Sequence, residues 1–215
     1  MGYRGQDIDT ELDKSINRII KRCEEISKPA YTYGYFDLFR NSDTLALAGS
    51  GITLPGKAIQ KHLDGAKYCA ILAVTLGMDM ERALLLLEKK SMTDAVILDS
   101  AANAYIESVA DCVENIITEE SKNKGLCTNY RYSPGYGDFP IEMQKTLIPL
   151  LNCDRKIGLT VTENSIMIPR KSVTAVIGIF DEDQIKKKGC EGCSMYHSCN
   201  IRRNKTGKDG DGCDK

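Results

Sequence analysis

An α+β fold is predicted for this chain, and three observations carry the prediction. Helical periodicity dominates the stretch up to residue 120, extended apolar runs gather after residue 157, and strict strand–helix–strand alternation is missing between them. A change of composition from Asp181 onward, toward charge, glycine and cysteine, marks a small cysteine-rich C-terminal appendage. The division is therefore a body of residues 1–180 and a tail of residues 181–215.

The elements follow in order. Thr10-x-x-Asp13 opens a helix, with Leu12, Ile16, Ile19, Cys23 and Ile26 at three- and four-residue spacing. Pro29 and the segment YTYGYF end it. A short apolar run, Leu45 to Ala48, leads through a Gly-Ser-Gly turn to a second helix from about Pro55 to Leu63. Tyr68 to Thr75 is an uninterrupted apolar run stopped by Gly77, as suits a strand buried on both faces. A helix from about Met80 to Lys89 comes next. Ser91-x-x-Asp94 then caps the longest helix, running to about Glu120 with Ala95, Leu98, Ala102, Tyr105, Val109, Cys112 and Ile116 on its apolar stripe. Ile141 to Leu151 reads as a short helix. Strands are expected at Ile157–Val161, Ser165–Ile168 and Ser172–Phe180, the last two joined as a hairpin through Pro169-Arg170-Lys171.

Composition bounds the function. The chain is 42% hydrophobic and 27% charged, with a net charge of −1, which gives no electrostatic reason for nucleic-acid or membrane binding. No signal pattern and no apolar run of spanning length is present, so the nine cysteines read as thiols of a reducing cytoplasm or as metal ligands. A cytoplasmic location is expected.

Gly51-Ile-Thr-Leu-Pro-Gly-Lys-Ala58 nearly matches the phosphate loop G-x-x-x-x-G-K-[ST]. Ala58 lacks the hydroxyl that holds magnesium, and Pro55 removes an amide from the cradle, which argues against a nucleotide site. The stretch Tyr130–Pro140, YRYSPGYGDFP, is richer. Its prolines exclude helix and central strand, its glycines allow positive φ and close backbone approach, and its rings and single guanidinium suit a ligand as well as a surface turn.

R-x-S-P-G-Y-G-D-x-P, followed some thirty residues later by TENSIMIPRKSV, resembles the activation domain of cobalamin-dependent methionine synthase, where the two stretches are R-x-x-P-G-Y and T-E-S-x-x-M-x-P-x-x-S-V. Order and separation agree, and the resemblance is good from Ser91 to Ile179. It implies an S-adenosylmethionine-binding domain with a twisted antiparallel sheet flanked by helices. It also implies reductive methylation of a corrinoid whose cobalt has lost an electron, the electron coming from a flavodoxin- or ferredoxin-type donor. Under this resemblance Arg131 contacts the ligand, its planar fork suited to a carboxylate. Ser133, Gly135 and Tyr136 hold the ligand through loop backbone and ring. Glu107 is a ligand-contacting glutamate, although read alone it belongs to a solvated face with Asn103, Asp111 and Glu114. Asp138 is a further candidate contact. Glu163 and Ser172 are taken as structural.

The chain departs from the family pattern in places. A second family glutamate corresponds to Gly125, a late tyrosine is replaced by Phe180 and the acidic residues after it, and an N-terminal aspartate contact has no clear position. Asp-x-His-x-x-Gly, the pattern that ligates cobalamin, is missing, with His62 and His197 in unrelated contexts. The expectation is a stand-alone activation protein acting on cobalamin carried by a partner, a methionine synthase or related methyltransferase, and binding neither nucleic acid nor membrane.

In the tail, Cys190-x-x-Cys193-x5-Cys199 and Cys213 supply four thiolates, enough to close a tetrahedral zinc site or hold a 4Fe–4S cluster. The remaining cysteines, Cys69 and Cys112 among them, are expected to be buried and inert. A second reading belongs to another class: a metal-binding module whose tail, with Lys186–Lys188, Arg202, Arg203 and Lys205, docks a protein or RNA. The near-neutral body argues against it.

Overall fold

The computed structural model describes residues 9–41 and 44–181. The four tail cysteines therefore lie outside the described residues. Helix α1 (Thr10–Ile26) leads to strand β1 (Ala30–Arg40), then β2 (Leu45–Leu47), β3 (Ile52–Thr53), helix α2 (Lys57–His62) and strand β4 (Tyr68–Thr75). Helices α3 (Met78–Lys90) and α4 (Met92–Lys122) precede β5 (Leu126–Thr128). After the tyrosine-glycine loop come a 3-10 turn at Ile141–Met143, α5 (Gln144–Leu150), α6 (Cys153–Ile157), the two-residue strands β6 (Thr160–Val161) and β7 (Met167–Ile168), and β8 (Ser172–Asp181).

Six strands form one sheet in the order β3-β2-β1-β4-β8-β5, every pairing antiparallel, and helices cover both faces. The α+β prediction holds. β4 sits between β1 and β8, and its side chains alternate between two apolar layers. Ala70, Leu72 and Val74 face the layer made with α1, α3 and α4, while Cys69, Ile71 and Ala73 face the layer holding Ile59, Phe139, Leu147 and Leu151. Double burial is why the sequence run is unbroken rather than alternating.

Several expectations change. The YTYGYF segment is not a mere helix stop: it is most of the long strand β1, whose tyrosines stand where the sheet meets α4. Tyr33 and Tyr35 both donate to the Glu120 carboxylate, at 2.8 and 2.6 Å. The cap of α1 is Asp9, one residue before the predicted Thr10, with Oδ1 accepting the Leu12 amide at 2.7 Å. Along α4 the buried stripe is Ile106, Ala110, Val113 and Ile117 rather than the neighbouring 105, 109, 112 and 116 series. Over 31 residues a 3.6-residue helix drifts against a fixed three–four pattern, so the predicted face slips round by one position. Cys112 is consequently exposed, not buried.

The late strands also pair differently. β7 pairs with β6, not with β8, and residues 153–157 are helical. The turn between β7 and β8 is no hairpin because α3 holds it: Glu81 accepts the Arg170 amide at 3.0 Å and its Nε at 2.6 Å. The Leu76 amide donates to the Lys171 carbonyl. The chain is thereby carried across to lie along β4, and β8 becomes a central strand.

Candidate functional site

The tyrosine-glycine loop is fastened at both ends and at its middle. Tyr132 exchanges both main-chain hydrogen bonds with Val176, as an added bridge on the edge of β8. Asn129 ties the approach: its Oδ1 accepts the Gly178 amide at 2.7 Å and its Nδ2 donates to the His62 carbonyl at 2.8 Å. Farther on, the Gly135 amide donates to the Phe139 carbonyl, the Phe139 amide to the Tyr136 carbonyl and the Tyr136 amide to the Ser133 carbonyl. These bonds fold Ser133–Phe139 into a compact turn, which needs the positive φ of Gly135 (94°) and Gly137 (55°). Phe139 is buried in the second apolar layer, while the Tyr136 ring stays at the surface, edge-on to Tyr132 at 5.9 Å.

Asp138 turns away from the turn's open side. Its Oδ2 accepts the Lys57 amide at 2.7 Å and its Oδ1 the Ala58 amide at 2.8 Å, so it caps α2. The hydrogen bonds from Ala58 and then Lys57 hold its carboxyl below the ordinary carboxylate value. The helix start within the phosphate-loop look-alike is thus taken by a carboxylate of the chain itself. A side chain at Gly56 would meet the Asp138 carbonyl oxygen at 2.7 Å, which explains the glycine at φ 112°.

On the other side of the loop lies a cavity of about 400 Å³ between α4, the loop, the start of α5 and the open edge of β8. Its acidic wall comes from helical spacing: Glu107, Asp111 and Glu114 are four and three residues apart, hence on one face of α4. Arg131 reaches over from the loop. One terminal nitrogen donates to Asp111 at 2.6 Å and to Glu114 at 2.8 Å, and the other to Glu107 at 2.9 Å. Arg131 is only 16% exposed and Glu114 only 10%, whereas Glu107 and Asp111 are more than half exposed. Burial opposes the guanidinium's charge, but the Asp111 hydrogen bond and the charges of Glu114, Asp111 and Glu107 outweigh it and raise its pKa.

The opposite wall is neutral and polar. Gln144 is 3% exposed, and its Oε1 accepts the Thr174 hydroxyl at 2.7 Å. Ser172, also lining the cavity, donates to the Pro169 carbonyl at 2.7 Å and lies 2.8 Å from the Thr75 hydroxyl.

Of the sequence-named residues, Arg131, Ser133, Tyr136 and Glu107 come together around this cavity. Gly135 shapes the turn behind it, and Asp138 serves the helix cap. Glu163 lies outside the lining. Sequence reasoning placed Glu114 on a solvated face, yet it is buried under Arg131. Its spacing from Glu107 was the available signal. Gln144 and Thr174 carried none, since their pairing spans thirty residues. Gly125, where the family pattern has a glutamate, sits at positive φ just after α4, and Phe180 is buried in β8. Among the described residues no cluster of metal-ligand type is present, and no helix is long and apolar enough to cross a membrane.

Comparison with known proteins agrees with this reading of the motifs. No curated protein matches the chain. Among solved structures, the crystal structure of the MetH reactivation domain bound to AdoHcy aligns with a TM-score of 0.60 at 18% identity, covering 85% of this chain and 69% of that one. At such identity the likeness establishes a shared fold. Residues 57–185, well over half of the chain and inclusive of the loop, α4 and β8, match the family described as vitamin B12 dependent methionine synthase, activation domain. The chain belongs to that activation-domain family.

Proposed function

We propose that this protein restores an oxidised corrinoid carried by a separate methionine synthase or related methyltransferase, by binding S-adenosylmethionine and presenting its methyl group. The observation that supports this most is the cavity of about 400 Å³ bounded by the family's arginine–proline–glycine–tyrosine loop and by α4. Its volume lies in the range of small-molecule sites, about 300–1,000 Å³. Ser133 and Tyr136 form the loop side of the pocket, Glu107 and Asp111 present carboxylates, and Arg131 holds these in place. Asp111 and Glu114 supply acidic groups near Arg131 where Gly125 replaces the family's second glutamate.

The substrate cobalamin stays with the partner. One electron, from a flavodoxin- or ferredoxin-type donor, reduces cobalt(II) to cobalt(I). The metal's electron pair then bonds to the methyl carbon while the carbon–sulfur bond breaks, its pair returning to sulfur to leave S-adenosylhomocysteine. This chain's part is to bind and orient the sulfonium compound and to keep its methyl side open to the partner. The open lip at Tyr136 and Ile141, both exposed, suits that approach.

Calorimetry of the purified protein with S-adenosylmethionine tests the reading. Saturable binding is expected, weakened in Arg131→Ala because Glu107 and Asp111 lose the guanidinium that positions them. Absence of binding by the wild-type protein would end it.

A further inference from the structure

We infer that the cavity is selective for the charge on sulfur: it binds the cationic sulfonium, S-adenosylmethionine, in preference to the neutral thioether product, S-adenosylhomocysteine, with the sulfonium against Glu107 and Asp111. The inference rests on the proposed function and adds to it an orientation and a direction for product release.

The charge balance favours a cation. Among the described lining residues the charged ones are Glu107, Asp111, Glu114 and Arg131, so three carboxylates face one guanidinium. The wall keeps an excess of two negative charges after Arg131 is counted. Three of the five N–H donors of Arg131 go to α4, so an anionic group would have to share the guanidinium with three carboxylates. A cation meets no such competition. Glu107 and Asp111 have their carboxylates largely exposed at the mouth, within reach of a ligand, while Glu114 lies beneath.

The other wall independently points to a ligand. Gln144 is nearly fully buried and lines the cavity, and its Oε1 accepts from Thr174 while its amide nitrogen is a donor by nature. The backbone contributes too. Val176 directs its N–H and C=O outward to Tyr132, and Gly178 directs its own to Asn129. By the alternation of an antiparallel strand, Thr174 turns its N–H and C=O to the same open edge, beneath the cavity. Uncharged donors and an acceptor suit the ligand's adenine edge, which the ribose separates from the sulfonium, away from α4.

Three ligands of nearly equal shape separate these contributions: S-adenosylmethionine, S-adenosylhomocysteine, and sinefungin, which carries an ammonium-bearing carbon in place of the sulfonium. Titration calorimetry at low and high salt on the wild type is expected to rank the two cations together, about 5-fold or more above the thioether, with the gap narrowing as salt rises. Glu107→Gln and Asp111→Asn are each expected to weaken both cations by about 2- to 5-fold and to leave S-adenosylhomocysteine unchanged. Both side chains are exposed enough that unaltered melting temperatures certify the fold. Equal affinities for all three ligands, or equal losses for all three in the variants, would overturn the selectivity while leaving the proposed function standing. Failure of every ligand to bind removes both.

Discussion

The carboxylate of Asp138 and the amide of Lys57, 81 residues apart in sequence, meet at 2.7 Å, and with the Ala58 amide at 2.8 Å they join the tyrosine-glycine loop to the start of α2. Backbone donors stabilise the charged form, so Asp138 has a lowered pKa in the folded protein. Its contribution to stability is therefore present above the ordinary carboxylate value of 3.8 and is lost as pH falls below it through the folded value. Asp138→Asn should lower the melting temperature at pH 7 and flatten the acid limb of the stability–pH curve. Melting curves recorded from about pH 7 to about pH 2.5, spanning the carboxylate range, would show this. Parallel curves for the two proteins would mean that the cap is electrostatically idle.

Gly56 is the counterpart of that contact. An added Cβ would lie 2.7 Å from the Asp138 carbonyl oxygen, a backbone atom unable to swing aside, at a φ of 112°. Gly56→Ala is expected to cost on the order of 1–3 kcal/mol, the scale of enforced backbone strain. Chemical denaturation measures it. Because the displaced group is the loop itself, S-adenosylmethionine affinity should fall along with stability, whereas Gly49→Ala, with open space around it, should leave affinity unchanged.

The thiols divide by environment. Burial pushes the Cys69 thiol up to about 12 and Cys153 to about 11, and raises Cys23 as well, while Cys112 stands exposed on α4. Since the thiolate is the reactive form, a short iodoacetamide pulse at about pH 8 should label Cys112 and spare Cys23, Cys69 and Cys153. Peptide mass spectrometry reads the pattern. Labelling of Cys69 in the folded protein would contradict the double burial of β4.

For Cys190, Cys193, Cys199 and Cys213, outside the described residues, spacing alone supports a proposal of one shared metal centre. Anaerobically prepared protein should carry stoichiometric zinc, or show the broad absorbance near about 400 nm of an iron–sulfur cluster. Neither signal, with all four thiols freely titratable, would reduce the tail to unliganded cysteine.

Much of this protein is written locally in its chain. The unbroken run Tyr68–Thr75 announces a strand covered on both faces, and Ser91 announces α4 by capping Asp94, because apolar periodicity and capping are decided within a few residues. Arg131, Ser133, Tyr136 and Glu107 could be named as candidates because the loop motif is contiguous and its partner stretch keeps its spacing. What the sequence left open was pairing at long range. Val109 and Ala110 look equally fit to face inward, and only the sheet packed against α4 decides between them. That decision turns Glu114 inward under Arg131 instead of outward to water. Pro169-Arg170-Lys171 suits a hairpin until Glu81, some ninety residues earlier, takes hold of Arg170. Asp138 looks like a ligand contact until folding brings the amides of Lys57 and Ala58 to it. Local rules settle which residues form an element. Which groups meet across the cavity depends on register and helix rotation, and those are fixed only when distant apolar faces are buried together.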